Sequence, residues 1–190
     1  LVSPSLDSVT ITPAAITVSA SNTVKTYDAT TSVSGATTSP TPILISGTLY
    51  MNSSVQDTLT GGSYSYTDPN ASSGNKTVTV SGVMIANSAT GNSAATANYA
   101  ITYVDNITST INPATITING TATYNGTNTT GNLTATGIGG QTLVIAGGSA
   151  TMSSTNAGTN SITGLTGGTI TAGGANPGNP ANYTIVGPAF

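Results

Sequence analysis

The chain carries few side chains that could do chemistry. Its charged residues are two lysines and five aspartates, and it has no Glu, His, Cys or Trp. Serine and threonine are plentiful, but nucleophilic catalysis needs a partner base such as His, and a zinc site needs His or Cys ligands. The composition therefore predicts a protein that is not an enzyme and holds no cofactor.

Two aspartates could still take part in acid–base or metal chemistry. Asp57 and Asp68 could serve as the carboxylate pair of a glycosidase. Asp68-x-Asn70-x-Ser72 is similar to the start of a calcium-binding loop, although no acid closes the loop. Because Asp68-Pro69-Asn70 is typical of a turn, we expect solvated turn residues here and no metal site.

The two cations restrict the partners of the chain. Lys25 and Lys76 cannot neutralise a track of phosphates, which excludes nucleic acid. No apolar run approaches the length of about 18 residues that a membrane-spanning helix needs. Either lysine could form an isopeptide cross-link with an asparagine, but such a link needs an adjacent acid, and Asp28 is near Lys25 only in sequence. For Lys76 we expect an exposed strand position.

Tyrosine and asparagine offer places for sugars. Five tyrosines, Tyr27, Tyr64, Tyr66, Tyr99 and Tyr103, could stack against glycans of a host or cell surface, although such residues more often anchor strand ends. Nine Asn-x-Ser/Thr sequences are candidate glycosylation sites, and the 18 asparagines and 62 hydroxyl residues explain most of them by chance. They are Asn52, Asn70, Asn75, Asn106, Asn119, Asn125, Asn128, Asn132 and Asn182.

Composition also sets the fold class. Residues that favour helix interiors are scarce, whereas the abundant Thr, Val and Ile favour strands, and Gly, Asn, Pro and Ser favour turns. Polar chains of this kind can be disordered, but here the aliphatic residues alternate in short runs and the net charge is only −3. We therefore predict a folded, all-β protein.

The elements that must position these residues come in two copies. Four matches follow in order, which indicates tandem folding units. Ile11–Val18 matches Ile111–Ile118, Lys25–Thr30 matches Thr121–Thr127 at its tyrosine, Thr77–Val83 matches Thr159–Leu165, and Ala97–Ile101 matches Ala181–Ile185. We predict a strand in residues 1–12 and β-sandwich units at 13–112 and 113–190, joined by short proline links that restrict the backbone.

Period-two alternation predicts six or seven short strands in each unit, as in an Ig-like β-sandwich. In unit one they are Ala14–Ala20, Ile43–Tyr50, Thr58–Tyr66, Lys76–Ile85, Tyr99–Val104 and Ile107–Asn112. In unit two they are Thr115–Asn119, Gly131–Thr136, Thr142–Ala146, Gly148–Met152, Thr159–Thr163, Gly168–Thr171 and Asn182–Val186.

Three features together resemble a known family. They are the Lys25–Thr30 segment, the Asn98-Tyr99 pair and the Ile-x-Pro-Ala-x-Ile-Thr junctions. They are similar to the YDG-type repeat domains of large secreted bacterial adhesins, the filamentous-haemagglutinin-like surface proteins. Ala29 replaces the Gly of the namesake motif in unit one, and unit two has Ala122 where Lys would stand. The resemblance implies a structural or adhesive role and no catalytic residue.

The two ends of the chain are out of step with the repeat. Ile107–Asn112 follows as a last strand in unit one, whereas unit two shows no such run after Val186. Asp7–Thr12 precedes Pro13 as Ile107–Asn112 precedes Pro113, so it is interpreted as the last strand of another unit. We predict that this donor strand fills the gap in a second copy, which yields a head-to-tail filament. The donor residues are Ser8, Val9, Thr10, Ile11 and Thr12, and the predicted acceptor end is Tyr183, Ile185 and Val186.

The preferred function is that of a non-enzymatic extracellular structural protein, a filament subunit of a cell surface or biofilm matrix whose partner is itself. Two alternatives stay open. One is the stalk segment of a large adhesin, and the other is a carbohydrate-binding module, which would need an aromatic platform. The start at Leu1 is typical of a chain from which a secretion signal has been removed.

Overall fold

The computed structural model describes residues 8–52, 55–87 and 93–185. This part of the chain contains seventeen strands, three short 3-10 segments and no α-helix, which confirms the all-β prediction. The strands are β1 Ala14–Ala20, β2 Val24–Thr26, β3 Pro42–Ser46, β4 Met51–Asn52, β5 Val55–Gln56, β6 Thr58–Tyr66, β7 Ser72–Ala86, β8 Tyr99–Tyr103, β9 Asn106–Asn112, β10 Ala114–Gly120, β11 Thr129–Thr130, β12 Leu133–Thr136, β13 Thr142–Ala146, β14 Ser149–Met152, β15 Ile162–Thr166, β16 Thr169–Ala172 and β17 Tyr183–Ile185. The 3-10 segments are Ser93–Asn98, Ile138–Gly140 and Pro180–Asn182.

Unit one is built from two main curled sheets. One has the order β3-β1-β8, with β8 parallel to β1, and the other has the order β2-β9-β7-β6. The long hairpin of β6 and β7 bends at Gly82, whose φ of 62° is readily reached only by glycine. Val18, Val78 and Ile111 have no exposed surface, so the core lies between the two sheets.

Unit two repeats this arrangement in strand register. Ala114 of β10 pairs with Tyr183 of β17, as Ala14 of β1 pairs with Tyr99 of β8. The larger sheet has the order β16-β13-β12-β10-β17 and the smaller one β11-β14-β15. Among the described residues, no strand before Pro113 pairs with a strand after it, and the division into two sandwich domains stays a prediction.

The long hairpin is also duplicated, although each of its strands is broken in two. Gly61-Gly62-Ser63 within β6 corresponds to Gly147-Gly148-Ser149 between β13 and β14, and Gly167, with φ 64°, takes the place of Gly82. The sequence alignment that matched Gly82 with Gly164 is therefore three residues out of register. In the structural register, Met152 and its pair Ile162 correspond to Tyr66 and its pair Val78.

The predicted strands are confirmed in part. β1, β6 and β13 have the predicted bounds, whereas the run predicted as Ile43–Tyr50 leaves its strand at Ser46. The strand ends because the backbone turns at Gly47, whose φ is 91°. Only glycine fits there, since a Cβ would lie 2.6 Å from the Ala15 carbonyl oxygen. The finer assignment of two Ig-like sandwiches stays a prediction. None of the described helical segments is long and apolar enough to cross a membrane.

Candidate strand-binding site

β9 closes unit one by lying between β2 and β7. It runs parallel to β2, with Lys25 opposite Ile111, and antiparallel to β7, with Lys76 opposite Ser109. Ser109 and Ile111 are fully buried. The Ser109 hydroxyl accepts a hydrogen bond from the Thr23 N–H at 3.0 Å, while Ile111 fills apolar space. β9 thus supplies two inward anchors, two residues apart.

Two buried cations flank β9. The Lys25 ammonium donates to Asp28 at 2.6 Å and to the carbonyl oxygens of Thr30 and Ser32. Burial opposes the charge of Asp28, but the hydrogen bonds from Lys25 and Thr30 hold its pKa below the usual value. An ion pair of this kind offsets the cost of burying the lysine.

Lys76 is buried against Asp68, so the prediction of an exposed strand position is wrong. The hydrogen bond from Lys76, together with that from the Asn70 N–H, holds the pKa of Asp68 below its usual value. Because the ammonium needs a compensating carboxylate when it leaves water, Lys76 turns towards the end of β6 instead of towards solvent.

The Tyr66 hydroxyl contacts the backbone of β9. It lies 2.9 Å from the carbonyl oxygens of both Thr23 and Thr110, and it therefore bridges the start of β2 and β9. Burial raises the pKa of Tyr66 to about 12, so the phenol stays neutral and keeps its donor proton at physiological pH.

Unit two has an open cavity of about 550 Å³ at the position that corresponds to β9. One wall is Thr121–Tyr124, the counterpart of β2 and Tyr27, and the other includes Ser154–Asn160, next to β15. Ile118, Met152 and Ile162 also line it. We call this cavity the open slot. Among the described residues, no strand pairs with the edge of β15 that faces it.

The residues of the open slot are more exposed than their counterparts in unit one. Ile118 and Ile162 are half-buried, whereas Val18 and Val78 have no exposed surface. A free sheet edge with apolar surface beside it is unfavourable in water. The open slot is therefore a candidate site for an added β-strand.

The predicted donor residues are unpaired in this chain. Ser8–Thr12 lies outside any strand and is exposed, with Val9 at 89% and Ile11 at 92% exposure. Counted from the proline that follows, Val9 and Ile11 correspond to Ser109 and Ile111, the two inward anchors of β9. The segment thus carries apolar side chains at the two positions that a closing strand turns inward.

The turn after β2 is repeated in unit two. Asp28 Oδ1 accepts from the N–H and hydroxyl of Thr30, and Asn125 Oδ1 accepts in the same way from Thr127. The YDG domain matches residues 12–109, more than half of the chain. The chain belongs to the YDG domain family. No curated protein matches it, and no solved structure does.

The predicted acceptor residues do not line the open slot of this YDG protein. Tyr183 and Ile185 lie in β17, in the other sheet, and Tyr183 is buried at the contact between the two units. Val186 falls outside the described residues. The walls at Thr121–Tyr124 and Ser154–Asn160 were missed. The alignment of the two YDG turns was the available signal, since it places Thr121–Thr123 opposite Val24–Thr26.

The other candidate residues are spread over the YDG fold. Asp57 and Asp68 flank opposite ends of the nine-residue β6, which spans about 30 Å when extended, far more than a glycosidase pair allows. The described residues contain no group of three side chains suited to a metal. Tyr27, Tyr66 and Tyr99 are buried, so the five tyrosines present no common platform for a sugar.

The candidate glycosylation sites differ in exposure. Asn182 is buried with its amide hydrogen-bonded, and Asn70 accepts from it. Asn106 and Asn128 are half-buried and donate to backbone oxygens. The side chain of Asn52 falls outside the described residues. The exposed ones are Asn75, Asn119, Asn125 and Asn132.

Proposed function

We propose that this chain is a non-enzymatic structural protein of extracellular fibres. Its copies join head-to-tail when Ser8–Thr12 of one copy enters the open slot of another. The observation that carries this proposal is the open slot. It lies in unit two at the position that β9 occupies in unit one, and its walls are the counterparts of the strands that flank β9. The low charge and the hydroxyl-rich composition support an extracellular, cell-surface location.

The register of the inserted strand follows from unit one. Thr110, Ile111 and Asn112 pair with Val24, Lys25 and Thr26. By the repeat, Thr10, Ile11 and Thr12 pair with Thr121, Ala122 and Thr123, and the side chains of Val9 and Ile11 turn towards the apolar floor of the open slot. Burying these two side chains contributes about 3 to 5 kcal/mol before the cost of ordering the segment.

A second candidate function, the stalk of a large adhesin, is supported by β9. This strand passes through Pro113 directly into β10, so one continuous chain can close a unit and begin the next. In a stalk, every slot is closed by its own chain. In a filament, a slot is closed by a second copy, and only the filament requires free chains to associate.

Disulfide cross-linking tests the register between copies. The chain has no Cys, so every disulfide in the Thr12→Cys, Thr123→Cys variant joins introduced cysteines. The proposal predicts a bond between position 12 of one copy and position 123 of the next. Paired strands lie about 4.8 Å apart, within the range of Cα distances that a disulfide spans. We expect a ladder of covalent multimers under oxidising conditions, measured by non-reducing electrophoresis.

The matched control combines Thr12→Cys with Thr26→Cys. Thr26 is the counterpart of Thr123, but Asn112 of β9 already occupies the position beside it, so this variant should stay monomeric. Monomers from both variants, or equal ladders from both, would overturn strand exchange between copies. Monomers in the first variant would leave the stalk as the better explanation of the open slot.

A further inference from the structure

The two units of the chain meet through a joint of aromatic and amide side chains. Tyr27 of unit one packs edge-on against Tyr183 of unit two, with ring centres 5.4 Å apart. The Asn182 side chain accepts from the Ala71 N–H at 2.7 Å and donates to Asn70 at 2.9 Å. We call these contacts the internal joint.

Unit one carries the same surface at its other end. The Tyr183 hydroxyl donates to Gln141 and accepts from the Ile138 N–H. In the same way the Tyr99 hydroxyl donates to Asp57 and accepts from the Tyr50 N–H. Tyr99 is therefore the counterpart of Tyr183. Asn98 and Tyr99 therefore form the face that corresponds to Asn182 and Tyr183.

Two counterparts of the joint residues, Tyr124 and Asn98, are exposed, whereas Tyr99, the counterpart of Tyr183, is buried at 7% exposure. Tyr27 is 5% exposed within the internal joint, whereas Tyr124, its counterpart in unit two, is 69% exposed. Asn182 is buried, whereas Asn98 is exposed. Tyr124 and Asn98 are thus exposed, whereas the internal joint covers the equivalent residues Tyr27 and Asn182.

We propose that the internal joint is repeated between copies, with Tyr124 of one copy packing on the Asn98–Tyr99 end of the next. This inference rests on the proposed function. Pro13 follows Thr12 as Pro113 follows Asn112, and no residue separates either proline from the strand of the next unit. An inserted donor strand therefore holds the two ends together as β9 holds the two units.

Two binding measurements separate the joint from the open slot. The acceptor is the chain without residues 1–12, which retains every described strand. Two ligands are compared. The intact chain contains both the donor strand and the Asn98–Tyr99 end of the joint, whereas a peptide of residues 7–13 contains the donor strand alone. Because Tyr124 also lines the open slot, Tyr124→Ala in the acceptor can weaken binding of both ligands, but it should weaken binding of the intact chain about tenfold more than binding of the peptide.

Each outcome of this experiment decides a separate point. A Tyr124→Phe variant should retain most of the affinity for the intact chain, because the ring supplies the packing. Equal weakening for chain and peptide would show that Tyr124 acts only as part of the slot wall and would overturn the joint. Unchanged binding of both would also overturn the joint but leave strand insertion intact. No peptide binding by the unsubstituted acceptor would overturn the proposed function itself.

Discussion

At the scale of single residues, the third position of the YDG turn controls local strain. Ala29 has φ 64° and Gly126, at the same position of unit two, has φ 78°. A side chain in this left-handed region costs about 1 to 2 kcal/mol, and the greater freedom of glycine in the unfolded chain offsets up to about 1 kcal/mol. A Cβ built on Gly126 meets no atom within 4 Å, so only the backbone conformation matters there.

We therefore expect Ala29→Gly to raise the stability of unit one by about 0.5 to 1 kcal/mol. Gly126→Ala should lower that of unit two by a similar amount. Urea unfolding of the monomer measures both changes. Ala29→Ser is the control, since it keeps a Cβ at the strained position and should give no gain. A loss of stability in Ala29→Gly would show that the turn is not strained by its side chain.

Buried charge is the residue-level feature that the sequence pattern could not predict. A lysine in an alternating run usually faces solvent, so Lys76 was expected there. Its burial depends on Asp68, which the turn between β6 and β7 brings back beside it. Alternation places Lys76 on the inward face of Val78 and Val80, but it does not show the carboxylate across the turn that makes this burial possible.

At the scale of elements, alternation predicted the strands that are long enough to show it. β1, β6 and β13 each have five or more residues and were placed at their observed bounds. β2 and β11 were missed because two or three residues cannot establish a period. β2 pairs with residues 110–112, more than 80 positions away, and a parallel pairing of this kind leaves no local signal.

The same long-range pairing explains why the predicted acceptor residues do not line the open slot. The prediction set the gap beside Tyr183 and Ile185 because the last strand of a unit follows that segment in sequence. In space, the last strand lies between β2 and β7, in the opposite sheet from β8. Adjacency along the chain is therefore a poor guide to adjacency in the sheet.

Matched substitutions in the two closing segments test their different surroundings. Ile111 has no exposed surface, so Ile111→Ala should destabilise the monomer by about 2 to 5 kcal/mol. Ile11 is 92% exposed, and Ile11→Ala should change monomer stability by less than about 0.5 kcal/mol. Urea unfolding at low protein concentration measures both values. A large loss from Ile11→Ala would mean that residues 8–12 pack on their own chain.

At the scale of the whole molecule, the repeat gives the two units different binding surfaces. The donor segment precedes unit one and the open slot lies in unit two, so the two binding surfaces differ and sit in different units. Contacts between unlike surfaces continue indefinitely unless the rotation closes a ring. Under the proposed strand exchange, we therefore expect fibres with two distinct ends, one with an exposed donor strand and one with an open slot.

This polarity predicts how a chain shortened to begin at Pro13 behaves. Alone it should stay monomeric in light scattering, since it has a slot and no donor. Mixed with intact chains, it should bind the donor-strand end of a growing fibre and stop growth there, because it presents no donor of its own. Mean fibre length in electron micrographs should then fall as its share of the mixture rises. Fibres from the shortened chain alone would rule out strand donation, and unchanged fibre lengths in the mixture would show that the open slot does not receive the donor strand.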